Sequence, residues 1–114
     1  MKIAEIVDIA YGKVICGDEQ LNTDLTHAFS SDLLSDVLTI NRTGILLITG
    51  VANLQTIRTA EMAEVSCILL VRNKKANQEM IDLARDNSLV IIESPISMFS
   101  ASGRLYQQGV QPLY

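Results

Sequence analysis

Three continuous apolar runs fall at one spacing, and no other feature restricts the fold as strongly. Gly44-Ile45-Leu46-Leu47-Ile48-Thr49, Ser66-Cys67-Ile68-Leu69-Leu70-Val71 and Ser88-Leu89-Val90-Ile91-Ile92-Glu93 begin 22 residues apart. None alternates polar with apolar. A strand that is apolar throughout is buried on both faces, as in a parallel sheet. The stretches between them carry helical periodicity. Leu54, Ile57, Met62 and Val65 share one face of the first, and Met80, Ile81 and Ala84 one face of the second. The residues themselves do not repeat, so the period marks strand–helix units of similar size and not a solenoid.

The flanking segments complete the expectation. Ile3, Ile6, Val7 and Ala10 predict a short N-terminal helix within residues 1–12, ended at Gly12. Lys13–Gly17 and Leu25–Phe29 predict strands, with a turn over Asp18–Thr23. Ser30, Ser31 or Asp32 is expected to cap a helix that turns Leu33, Leu34, Val37 and Leu38 inward. Ser94 and Pro95 predict the N-cap and first position of a last helix, with Ile96, Phe99 and Leu105 facing the core. The tail 110–114 has no periodicity and is expected to be loose. The whole chain, 1–114, therefore reads as one small, three-layer-like α/β domain with a mostly parallel sheet.

Composition narrows the function. The chain has 114 residues, 48% hydrophobic and 19% charged, with a net charge of −4. This is enough chain to bury roughly two-thirds of its unfolded surface without disulfides or metal. Lysine and arginine are scattered, so a nucleic-acid partner is not expected. No apolar run reaches the roughly 18 residues that span a membrane, and the N-terminus lacks a signal-peptide pattern, so a cytoplasmic location is expected. Cys16 and Cys67 sit among aliphatic residues and read as buried thiols. His27 is the single histidine. Metal-ligand spacings, a phosphate loop, a dinucleotide fingerprint and a nucleophile elbow are all absent from the sequence. Catalysis, a metal and a cofactor are therefore not expected.

Candidate binding residues follow from the architecture. Open parallel sheets bind ligands at the carboxyl ends of their strands. Those ends carry Ser30, Ser31 and Asp32, then Thr49, Gly50 and Asn53, then Arg72 and Asn73, then Ser94. Arg58, on the first crossover helix, is a further candidate for a ligand or partner subunit. Ser, Thr, Asn, Asp and Arg side chains suit a small polar ligand such as a nucleotide or other anion. Met62, Met80 and Met98 are candidates for an adaptable interaction surface.

The series Ser31–Leu38, Leu47-Ile48-Thr49-Gly50, Ile57–Met62, Met98-Phe99 and Gly103-Arg104-Leu105-Tyr106 resembles the small bacterial DRTGG-domain proteins. Order and spacing match from about Val14 to Gly109. The string nearest to the family's name is Asn41-Arg42-Thr43-Gly44. The resemblance implies a domain similar to the N-terminal domain of HPr kinase/phosphorylase, which is not the kinase. Related domains accompany adenosine-nucleotide-sensing CBS modules in pyrophosphatases. Stand-alone versions are often encoded near iron-only hydrogenase and redox genes. The resemblance thus implies a regulatory, ligand-sensing or interaction role, with a homodimer or a redox-enzyme partner, and carries no catalytic residue.

Overall fold

A computed structural model describes residues 1–114. The three apolar runs form β3 (Ile45–Thr49), β4 (Val65–Leu70) and β5 (Val90–Glu93), parallel neighbours in the centre of one sheet. β2 (His27–Ser30) adds beside β3, and β1 (Lys13–Cys16) pairs antiparallel with β5. The six strands lie in the order β1-β5-β4-β3-β2-β6, with β6 (Gln111–Pro112) at the far edge.

The placement of the helices follows from the handedness of the connections. From β2 to β5 the chain steps across the sheet in one direction through α2 (Leu34–Val37), α3 (Leu54–Met62) and α4 (Gln78–Asp86). Right-handed crossovers put all three on one face. The chain then reverses through α5 (Met98–Gln107) to reach β6 beyond β2, and reversal puts α5 on the opposite face, beside α1 (Ile3–Ile9). Each strand feeds both layers alternately. Leu47, Ile68, Leu70 and Ile91 pack under α3 and α4, and Leu46, Ile48, Leu69 and Ile92 pack under α1 and α5. Cys16 lies in the first layer and Cys67 in the second, both as free thiols. Burial pushes both thiols above their usual pKa; Cys16 Sγ donates weakly to Leu89 O at 3.5 Å. No helix is long and apolar enough to cross a membrane.

Several local expectations are corrected. The left-handed residue ending α1 is Tyr11 (φ 52°), not Gly12. Tyr11 N bonds Asp8 O and Gly12 N bonds Val7 O, which closes the helix end in a Schellman pattern. Gly12 is needed for space instead: a Cβ there would lie 2.5 Å from Ile92 Cγ2. The last helix starts three residues late. Ser97 is its N-cap, accepting from Ser100 N at 3.0 Å, whereas Ser94 Oγ donates to Ala10 O at 2.6 Å and accepts only from Ile96 N at 3.4 Å in the turn before it. Phe99, expected in the core, is 89% exposed, and Ala101 and Leu105 take the inward positions. α2 is a single turn that buries only Val37, leaving Leu33 and Leu38 exposed. On α3 the buried positions are Thr56, Ile57, Thr59 and Ala60, while Met62 points to solvent. The tail 110–114 is tied down: Gln111 N bonds Thr26 O, Leu113 N bonds Ala28 O, and the Tyr114 ring lies 5.9 Å from Phe29.

Candidate functional site

The outgoing connections of β4 and β5 run to opposite faces, to α4 and α5. The topological switch, where ligands enter open α/β sheets, therefore lies between these two strands. Here the two loops are stitched together. Arg72 N donates to Ile96 O at 2.7 Å and Asn73 N to Ser94 O at 3.0 Å. Arg72 and Asn73 both take left-handed backbone (φ 59° and 61°), a conformation that costs about 1 kcal/mol for a residue with a side chain and is held here by those bonds.

The turn aims the Arg72 side chain back over the end of β3. Its Nη2 reaches Asp32 Oδ2 at 3.2 Å. The other carboxylate oxygen, Oδ1, accepts from Gly50 N at 2.7 Å and Thr49 Oγ1 at 3.1 Å. Thr49 Oγ1 in turn accepts from Val51 N at 3.2 Å. One carboxylate thus holds the ends of β2, β3 and β4 together. The guanidinium lies on Gly50: a Cβ there would be 2.2 Å from Arg72 Nη2. Any other residue would push the guanidinium off this seat. Thr49 is fully buried, while the Asp32 and Arg72 side chains keep 42% and 49% of their surface open. A guanidinium has five N–H donors, and a single one of them is taken by Asp32. Lys74 and Lys75 are exposed on the same loop, Lys75 beside Glu93 at 3.6 Å.

Of the ten residues singled out from sequence, the structure brings four together: Asp32, Thr49, Gly50 and Arg72. Asn73 borders them on the Arg72 turn. The others have separate roles. Asn53 caps α3, its Oδ1 accepting from Thr56 N at 3.1 Å. Ser31 Oγ accepts from Leu33 N at 3.0 Å in the turn before α2. Ser94 is buried and holds the α1 end. Arg58 is exposed on α3 and forms no ion pair, with Glu61 or otherwise. Ser30 turns to the α5 side, where its Oγ lies 2.7 Å from Ser102 Oγ. His27 sits at the opposite end of β2, bonded to Thr26 and Arg42.

Sequence reasoning missed a second feature. A groove of about 250 Å³ runs between α5 and the β2–β6 edge, with Ser30 and Ser102 at its polar end. Its walls come from the segments read as a loose tail and a core-facing helix. The exposed Tyr106, seven positions beyond Phe99 in α5, was the available signal.

Comparison with known proteins bears on the family and the fold. The DRTGG domain family model matches residues 5–108. Curated proteins give no match. Among solved structures, the chain is similar to the CBS and DRTGG domains of the regulatory region of Clostridium perfringens pyrophosphatase, in complex with the activator diadenosine tetraphosphate. The TM-score is 0.73 at 17% identity, over 96% of this chain and 47% of that one. The chain thus spans about half the length of that structure, and the likeness is one of fold. With the family pattern running almost from end to end and the same fold in a chain that carries such a domain, this chain belongs to the DRTGG-domain family.

Proposed function

We propose that this domain is a non-catalytic, ligand-sensing regulatory module that takes a small anion, such as a nucleotide, at the Arg72 turn. The observation that carries the reading is the guanidinium seated on Gly50 by Asp32, with its remaining donors open at the strand ends. Orientation is fixed before a ligand arrives, which reduces the ordering cost of binding. A guanidinium suits phosphate and carboxylate groups because it offers paired donors. Lys74 and Lys75 add positive charge in a chain that is acidic overall. A pyrophosphatase regulatory region, about half of which shares this fold, is complexed with a nucleotide activator, which favours the nucleotide class.

A thermal-melt panel of AMP, ADP, ATP, uridine nucleotides and acetyl phosphate tests it. A ligand at 100 times its dissociation constant adds about 2.7 kcal/mol, or roughly ten degrees in Tm for a domain of this size. Arg72→Ala is expected to abolish that shift while costing under about 1 kcal/mol of stability, since its ion pair is half exposed. Asp32→Ala removes three hydrogen bonds and is expected to cost about 1–2 kcal/mol as well as the response. A shift that survives both changes places the anion elsewhere.

A second reading, an interaction module, is favoured by the outer face of α5. Phe99 and Tyr106 are 89% and 67% exposed and lie two turns apart on one face. Such a surface suits a second copy of the chain or a redox-enzyme partner of the kind the family resemblance implies. Light scattering at high concentration tests the homodimer, and Phe99→Ser is the variant that would dissolve it.

A further inference from the structure

We infer that the Arg72–Asp32 pair selects a phosphate ester that carries a free hydroxyl close to the phosphate, as in a sugar phosphate or a nucleotide, over an ester without one. The inference rests on the reading of the Arg72 turn as an anion seat and adds what else the ligand must carry. Three observations support it. The first is the acceptor left over on Asp32. A carboxylate has about four lone-pair sites. Oδ1 accepts twice, from Gly50 N and Thr49 Oγ1, and Oδ2 accepts once, from Arg72 Nη2. One site on Oδ2 receives no donor from the chain, and the side chain is 42% exposed. The second is adjacency. A hydrogen bond of 3.2 Å joins Oδ2 to the guanidinium, so the open acceptor and the open N–H groups lie side by side. An anion on the guanidinium therefore rests next to a carboxylate oxygen. Like charges that close cost binding energy. A hydroxyl on the same molecule turns this repulsion into a charge-assisted hydrogen bond. The third is fixation. Oδ1 is pinned to the end of β3 by the Gly50 main chain and by the buried Thr49, which holds Oδ2 beside the guanidinium when an anion arrives.

The phosphate end has donors of its own. Arg72, Asn73 and Lys74 are exposed on one turn, whose backbone is fixed by the bonds to Ile96 O and Ser94 O. Lys74 pairs with no carboxylate, whereas Lys75 is drawn to Glu93 at 3.6 Å. The turn thus offers cationic donors, and Asp32 beside it offers one acceptor. A hydroxylated phosphate ester matches both, and acetyl phosphate or an alkyl phosphate matches the first alone.

Titration of the full chain by two-dimensional NMR tests the inference, at about pH 8, where a phosphate monoester is a dianion without a donor of its own. The probes are glycerol phosphate and propyl phosphate, which differ only in their hydroxyl groups. Glycerol phosphate is expected to bind at least about tenfold tighter, as one hydrogen bond to a charged acceptor allows. It is also expected to shift the Gly50 amide, which rests on the same carboxylate. Ribose phosphate, AMP and the dideoxy analogue of AMP then separate a sugar phosphate from a nucleotide as the source. In Asp32→Asn the acceptor loses its charge, and the ratio between the two probes is expected to fall below about threefold, whatever becomes of the affinity itself. Should that variant bind neither probe, the wild-type ratio decides. Equal binding of the two probes overturns the inference, and so does a preference that survives Asp32→Asn. The anion reading outlives either result if Arg72→Ala abolishes binding. No binding of any phosphate probe, AMP included, overturns both.

Discussion

The two faces of the sheet are built by different parts of the chain. One is covered by α2, α3 and α4, the contiguous middle of the sequence. The other is covered by α1 and α5, the two ends. Local caps occur on both faces: Asn53 and Asn77 cap α3 and α4, and Ser97 caps α5, through bonds spanning three residues. The end-built face is held in addition by contacts across most of the chain. Ser94 Oγ reaches Ala10 O, Arg104 Nε reaches Ile9 O at 2.8 Å, and the Arg104 guanidinium lies 4.6 Å over the Tyr11 ring. Local devices leave sequence signatures, and long-range ones do not. The groove opens beside α5, on the face that the long-range contacts hold.

The largest expected effect separates the two layers at adjacent residues. Leu47→Ala, in the middle-built layer, is expected to cost about 4 kcal/mol. Ile48→Ala, equally buried but bordering the groove, is expected to cost about 2 kcal/mol, because part of its surroundings is already empty. Equilibrium urea unfolding measures both. Equal costs would mean that the groove stops short of the core.

A pH series sharpens the comparison through the two thiols. Burial holds both above the ordinary value of 9.0, so the folded protein keeps them protonated where the unfolded chain ionises. The stability they contribute is complete below about pH 9 and falls as pH rises, by about 1.4 kcal/mol per unit for each fully protected thiol. Cys67 is fully enclosed in the α1–α5 layer. Cys67→Ala is therefore expected to flatten the slope between pH 9 and 11, which unfolding at stepped pH reads directly. An unchanged slope would show that this layer opens to hydroxide in the native state.

Next comes the contrast between a local and a distant tether. Asn53→Ala removes the α3 cap and is expected to cost about 1 kcal/mol. Arg104→Ala removes a hydrogen bond to Ile9 O and the stacking on Tyr11, with a similar cost of about 1 kcal/mol. Hydrogen exchange distinguishes them: the first should loosen α3, and the second should loosen α1 and α5 together. The smallest effect is Phe99→Ser, within about 0.5 kcal/mol because the ring is already in water.

Much of the architecture was legible. Runs such as Leu46–Ile48 and Ile68–Leu70 are apolar because both faces of their strands are covered, and no surface strand would tolerate them. The candidate site was half legible. Asp32, Thr49, Gly50 and Arg72 were marked by position at strand ends, whereas their convergence depends on strand order. Asn53 and Ser94 occupy equivalent positions and turned out to hold the backbone. Ser94 misled because the serine–proline pair is a real helix-start signal, but Ser97 lies three residues on and supplies the cap, while Ser94 is buried against Ala10 O, a contact that sequence proximity does not reveal.

By itself, the sequence determined the parallel sheet, its three central strands and the helices between them. These depend on burial and periodicity, which are written residue by residue. Tertiary structure alone decided the rest: that α5 crosses back over the other face, that its Phe99 stays in water, that Asp32 seats Arg72 on Gly50, and that the tail closes a groove against β2. Each is a contact between segments far apart in the chain, and its energy depends on where the backbone carries them.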